Sequence, residues 1–182
     1  LQKKNGVAAR ALEFTILTAA RTGAVIGATW DEINLARRVW TVPPERAGTK
    51  IGGADPKPRR VPLCDRVVSI LQSLSRENGN PHLFIGESEG GGLSNMAMLE
   101  LLRDMRPGLT VHGFRSTFKD WAAEMTHHSN EVSEAALWHA VADKVEAAYR
   151  RGDLFEKRRL MMEAWDRYCY TPRTVGDVVV LA

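Results

Sequence analysis

A mainly α-helical domain with a small antiparallel β-sheet (α+β) is the fold class this sequence predicts. Three observations point to it. Apolar residues recur at helical spacing in segments spread along the whole chain. Only one pair of stretches, Val39–Pro43 and Arg59–Leu63, alternates with strand period, and a Gly- and Pro-rich segment separates them. The chain has 182 residues, 44% hydrophobic and 26% charged, enough apolar material for one sizeable core.

Taken in order, Val7 to Ala20 reads as a helix with Leu12, Thr15, Ile16 and Ala19 on one stripe. Gly23 is expected to make a turn, a second short helix to run to about Thr29, and Trp30 to pack inward. Val39-Trp-Thr-Val-Pro43 and Arg59-Arg-Val-Pro-Leu63 read as paired strands joined by a long connection, Glu45 to Pro58. Asp65 to Asn78 reads as a helix capped by Asp65, with Val68, Leu71 and Leu74 towards the core and Gly79 ending it. Pro81 to Ile85 is short and buried, with His82 structural. Ser94 or Asn95 caps a helix through Met105, whose apolar side is Met98, Leu101 and Leu102. Gly113 to Met125 is a helix with Phe118 and Trp121 on its buried face. Asn130 to Trp138 is another, and His139 stands at the junction after it. Asp143 restarts a helix through Arg151. Leu154 to Tyr168 is a long amphipathic helix, with Tyr168 and Tyr170 in aromatic packing contexts. The tail Val175–Ala182 is β-prone.

Composition excludes several classes. The two cysteines, Cys64 and Cys169, are far apart and in no metal-ligand spacing, so neither a disulfide framework nor a zinc site is expected, and a reducing cytoplasm is. No run has membrane-span length and no signal peptide is visible. The Gly90-Gly-Gly92 run lacks the Lys-Ser/Thr of a phosphate cradle. His127 and His128 are adjacent and do not share a helical face for a metal. Net charge is +3, and between Arg46 and Arg60 the cations Arg46, Lys50, Lys57, Arg59 and Arg60 face one acid, Asp55, a pattern compatible with nucleic acid.

The chemistry concentrates between Thr110 and Arg151, where His112, Arg115, His139 and Tyr149 occur. A phosphodiester under attack gathers negative charge on its non-bridging oxygens. Arginine meets those oxygens with two parallel donors, and histidine adds a donor or shuttles a proton. Tyrosine, with a pKa of about 10, needs on the order of 3.4 kcal/mol of differential stabilisation to reach a pKa of about 7.5. Clustered cations, or a base acting during attack, provide it.

Thr110-Val-His-Gly-Phe-Arg-Ser-Thr-Phe-Lys-Asp-Trp-Ala-Ala-Glu124 resembles the His-x-x-Arg box of phage and genomic-island integrases, members of the tyrosine recombinase family. Glu146-Ala-Ala-Tyr-Arg-Arg-Gly-Asp-Leu-Phe-Glu-Lys-Arg-Arg159 resembles their nucleophile box. The resemblance runs over most of the chain and implies the catalytic-domain fold of that family. By it, Tyr149 is the nucleophile, and Arg115 with Arg21 clamps the phosphate. His112 and His139 donate to the phosphate, and a lysine from the strand hairpin protonates the leaving 5′-oxygen. Lys50, in Gly48-Thr-Lys-Ile-Gly52, matches best, with Lys57 the alternative. Lys57, Arg59, Arg60, Arg150 and Arg151 are expected to bind DNA. Two positions depart from the family: Ala24 stands where an acid braces the first arginine, and Trp138 where a small residue is usual.

The resemblance further implies site-specific recombination of a mobile element through a 3′-phosphotyrosyl intermediate, with no metal or other cofactor and no ATP. Double-stranded attachment sites, a homo-tetramer on DNA and accessory bending or directionality proteins are the expected partners. The location is a bacterial cytoplasm, at the nucleoid. Residues 1–182 are expected to be the catalytic domain, with separate N-terminal domains reading arm and core sites. The tail is expected to dock on a neighbouring protomer or fold back as an edge strand. Two alternatives are topoisomerase-like relaxation of one duplex and a catalytically weakened DNA-binding or assembly module.

Overall fold

Helix α1, Val7–Thr18, is the centre of the structure, buried along most of its length. The computed structural model describes residues 1, 4–47, 57–139 and 152–171. After α1 come α2 (Thr22–Ile26), a 3-10 turn (Trp30–Glu32) and strands β1 (Ile33–Asn34), β2 (Val39–Val42) and β3 (Arg59–Pro62). Helices α3 (Asp65–Ser73), α4 (Ala97–Met105), α5 (Gly113–Glu124), α6 (Asn130–Ala136) and α7 (Phe155–Tyr170) follow. The sheet is antiparallel in the order β1-β2-β3, with Trp40 opposite Ile33 and Val61, so the fold class is the expected one.

Two apolar clusters meet on α1. Its Leu12, Phe14 and Leu17 join Trp40 and Val61 of the sheet, Val67 and Ile70 of α3, Phe84 and Met98. Phe14 meets Trp40 and Phe84 edge-on, with centroids 5.2 and 5.4 Å apart. The second cluster gathers Phe118 and Trp121 of α5, Val132 of α6, and Met161 and Trp165 of α7. Ile16 touches both clusters, and its carbonyl accepts the Trp165 indole N–H at 2.9 Å. Deleting a buried ring such as Phe14 should cost about 3–5 kcal/mol, because the site cannot collapse around the void.

Several local expectations need correcting. The turn after α1 is made by Ala19, not Gly23: Ala19 has φ 50°, ψ 24°, and Gly23 lies inside α2. Asp65 is the first helical residue of α3 rather than its cap, which Cys64 supplies. The Asp65 carboxylate pairs instead with Arg38. That helix stops at Ser73 and buries Val67, Ile70 and Leu71, one position off the expected face, while Val68 and Leu74 are only partly buried. Gly79, at φ 79°, serves a separate turn in which the Asn80 N–H meets the Glu77 carbonyl. Helix α6 ends at Ala136, short of Trp138. Ser94 does act at the start of α4, accepting the Ala97 N–H at 3.2 Å. Strand β1 has no sequence signal, since two residues are too few to show a period. The expected helix at Asp143 and the tail Val175–Ala182 lie outside the described residues.

Among the described residues, no helix is long and apolar enough to cross a membrane. No group of three His, Cys, Asp or Glu side chains among them is arranged to hold a metal ion.

Candidate active site

Helix α5 starts at the His-x-x-Arg box. His112 occupies its cap with helical backbone angles, and Thr110 Oγ1 accepts the Gly113 N–H at 3.1 Å. The Arg115 N–H bonds the His112 carbonyl at 3.0 Å, so both residues sit on the first turn. His112, Arg115 and His139 line one cavity of about 250 Å³, with Ser116, Lys119, Asp120 and Leu137.

Arg115 is 6% exposed, yet no carboxylate pairs with it among the described residues. Its guanidinium donates to the Ala19 carbonyl, and to the Leu137 carbonyl at 2.6 Å. Those carbonyls belong to the C-caps of α1 and α6. Helix C-termini carry partial negative charge and unpaired oxygens, so they solvate a cation without neutralising it. Ala19 closes α1 as a left-handed cap, its N–H bonding the Ile16 carbonyl, and its own carbonyl accepts from the Arg115 fork. Burial, with a smaller contribution from Arg21, lowers the Arg115 pKa to about 10, which still leaves the charge in place at neutral pH.

Arg21 is the N-cap of α2. Its Nη1 donates to the Ala47 carbonyl at 2.7 Å, and its guanidinium lies 5.8 Å from the Trp138 ring centroid. Burial and then Arg59 lower its pKa. Ala24 is buried, and its carbonyl accepts from Arg46 at 3.2 Å. Arg46 pairs with Glu32, so that acid is committed to Arg46 and not to Arg21. What holds Arg21 is a neutral carbonyl and an aromatic face. Trp138 is 4% exposed in left-handed backbone (φ 58°), edge-on to Trp40 at 6.4 Å. The large residue at this position therefore fills the core and floors Arg21 at once.

The hairpin arginines divide. Arg59 Nε is buried without a hydrogen-bond partner among the described residues, and Arg59 bears electrostatically on both Arg21 and Arg158. Arg60 spends its fork on Asp153 at 2.7 and 2.9 Å and lies 4.6 Å from the Phe155 ring centroid. Lys57 is exposed. Lys50, Tyr149, Arg150 and Arg151 lie outside the described residues. The rival tyrosines are accounted for. The Tyr170 hydroxyl is held by Glu13 and Arg66, and burial with the Glu13 contact pushes its pKa up, away from nucleophile chemistry. Tyr168 stacks on Trp165 at 5.5 Å.

Two site residues escaped the sequence reading. Lys119 is four residues beyond Arg115, hence on the same face of α5, a spacing that could have revealed it. Glu134 contacts both Lys119 and His139, a pairing across two elements that no local pattern encodes.

No family model matches the chain. It is 30% identical over 168 residues to the IntB protein of Escherichia coli K12, covering 85% of this chain and 42% of that protein. It is 27% identical over 171 residues to the integrase of Enterobacteria phage P4, covering 87% of this chain and 39% of that one. The chain thus spans about two fifths of the length of these curated relatives. Among solved structures, the integrase from mycobacterium phage Brujita superposes with a TM-score of 0.67 at 17% identity, over 96% of this chain and 56% of that one. The fold is shared with it.

Proposed function

Starting from this chain's kinship with the phage-type integrases and its tyrosine recombinase fold, we propose that it is the strand-cleaving part of a site-specific DNA recombinase. The observation that carries the proposal is the pair Arg21 and Arg115. Both are held by neutral carbonyls, with no carboxylate partner among the described residues, and Arg115, which Arg21 faces electrostatically, lines a cavity with His112 and His139. Such a corner is short of negative charge, and a phosphodiester supplies it.

In the proposed step the Tyr149 oxygen attacks phosphorus, its proton leaves to a base or to solvent, and the bond to the 5′-oxygen breaks. Lys50, or Lys57 in its place, gives that oxygen a proton. A 3′-phosphotyrosyl ester results. A 5′-hydroxyl of a second strand then attacks the ester and restores the tyrosine. The ester conserves the bond energy, so the cycle needs no ATP. Arg21, Arg115, His112 and His139 stabilise the developing oxyanions, the role a metal ion plays in many nucleases. Arg59, with Lys57, Arg150 and Arg151, tracks the neighbouring backbone, and Arg60 joins them only by giving up a prong of its pair with Asp153. Binding is then dominated by phosphate and falls steeply with salt. A homo-tetramer on two attachment duplexes, accessory bending or directionality proteins, further domains that read arm and core sequences, and a cytoplasmic location complete the proposal.

The test is a nicked suicide duplex bearing the element's own attachment site, incubated with the protein and run in SDS. A covalent adduct that Tyr149→Phe abolishes is the expected result. DNA binding without adduct, from protein supplied with the arm- and core-reading domains, contradicts the proposal.

A further inference from the structure

Glu134 has no role in the scheme above, yet it is tied to His139 twice. One carboxylate oxygen lies 2.7 Å from His139 Nδ1. The His139 backbone N–H donates to the Glu134 carbonyl at 3.0 Å. The other carboxylate oxygen lies 2.5 Å from Lys119 Nζ, which also reaches Ser133 Oγ at 2.8 Å. Lys119 and His139 line the same cavity as His112 and Arg115.

We propose that Glu134 is a positioning residue for His139: it accepts the Nδ1–H hydrogen bond, fixes the ring's orientation and tautomer, and turns Nε2 to the cavity, where it donates to a phosphate oxygen once the ring carries its second proton. The inference rests on the phosphodiester reading of this site. An ionised carboxylate can only accept, so in the neutral ring the nitrogen facing it carries the proton. Glu134 stays ionised because, although burial pushes its pKa up, bonds from Lys119 and His139 outweigh that and hold it below the usual range. When the ring is protonated, the new charge forms beside the carboxylate, and Nε2–H donates to a non-bridging oxygen. Lys119 fixes the carboxylate in turn, a chain of orientation like that behind metal-bound histidines. The bland reading is that Lys119 and Glu134 merely tie α5 to α6.

The two readings separate by nitrogen NMR of histidine side chains, with His139→Gln used to assign the His139 signal. The proposal expects the neutral wild-type ring in the Nδ1–H form. In Glu134→Ala that preference is lost, while Glu134→Gln, whose amide oxygen still accepts, keeps it. An Nε2–H ring in the wild type overturns the proposal with no variant needed, and so does a tautomer unchanged in a folded Glu134→Ala protein. On the suicide duplex, Glu134→Ala should cleave roughly ten- to a hundredfold more slowly at unchanged DNA affinity, with Glu134→Gln partly restored. Because the tautomer is read without DNA, a protein that cleaves nothing even when supplied with the arm- and core-reading domains would refute the recombinase reading and leave the Glu134 result standing.

Discussion

Arg158 and Arg115 are almost equally buried, at 3% and 6% exposure, and their surroundings differ in one respect. Arg158 meets an acid: it donates to Asp153 Oδ2 at 2.9 Å, to the Asp153 carbonyl at 2.7 Å and to the Arg60 carbonyl at 2.6 Å. Among the described residues Arg115 meets only carbonyls, with Arg21 close enough to depress its pKa. A buried arginine with its carboxylate is a clamp, here fastening β3 to the start of α7. A buried arginine solvated by helix ends keeps an uncompensated charge, which costs stability until an anion arrives. The linkage has a definite sign. The folded-state pKa of Arg115 lies below the ordinary arginine value, so the cost is present at neutral pH and relieved as pH rises through about 10.

Removing the clamp has the largest expected effect. Arg158→Ala removes three hydrogen bonds of a buried guanidinium but leaves Asp153 paired with Arg60, and should cost about 3 kcal/mol of stability, read by urea unfolding. Burial pushes the Asp153 pKa up, but Arg60 and Arg158 outweigh it and hold the carboxyl below its usual value. The clamp's contribution is therefore present above about pH 4 and lost as pH falls through the depressed pKa, by linkage. The acid limb of a melting-temperature profile should flatten in Arg158→Ala. Arg115→Ala breaks the other side of the comparison. Cleavage of the suicide duplex should fall roughly 10²–10³-fold, the usual loss of one oxyanion donor. A full cleavage rate would make Arg115 a clamp like Arg158.

Smaller changes sharpen the contrast. Trp138→Leu removes the aromatic floor of Arg21, a contact worth about 0.5–2 kcal/mol, whereas Trp138→Phe keeps a ring there. Cleavage should fall several-fold in the first and little in the second. Arg59→Gln should do least: the slope of log affinity against log salt should drop by about one unit, with cleavage of bound DNA nearly unchanged. An unchanged slope would mean that Arg59 touches no phosphate.

How much was legible follows from where the information lies. The helices and the hairpin were readable because their apolar spacing is local: Phe118 and Trp121 on α5, Val39 to Val42 on β2. His112 and Arg115 were readable because their box is contiguous, and His139 because the family places a donor at the junction between its two boxes. The Ala19 cap was not, since alanine carries no local signal for left-handed backbone and its carbonyl's partner arrives from α5. Asp65 looked like a cap but is drawn to Arg38 at the open end of the β2–β3 pair. Glu134 was invisible for the same reason: its meaning is a contact between α5, α6 and the junction after it. Ala24 suggested a loosely held Arg21, and only the fold brings Trp138 beneath it.

The most direct measurement is to digest the DNA adduct with protease and locate the linked nucleotide by mass spectrometry. The account predicts a phosphotyrosyl bond on the peptide containing Tyr149. Linkage at Tyr168 or Tyr170, or no linkage to tyrosine, would contradict it.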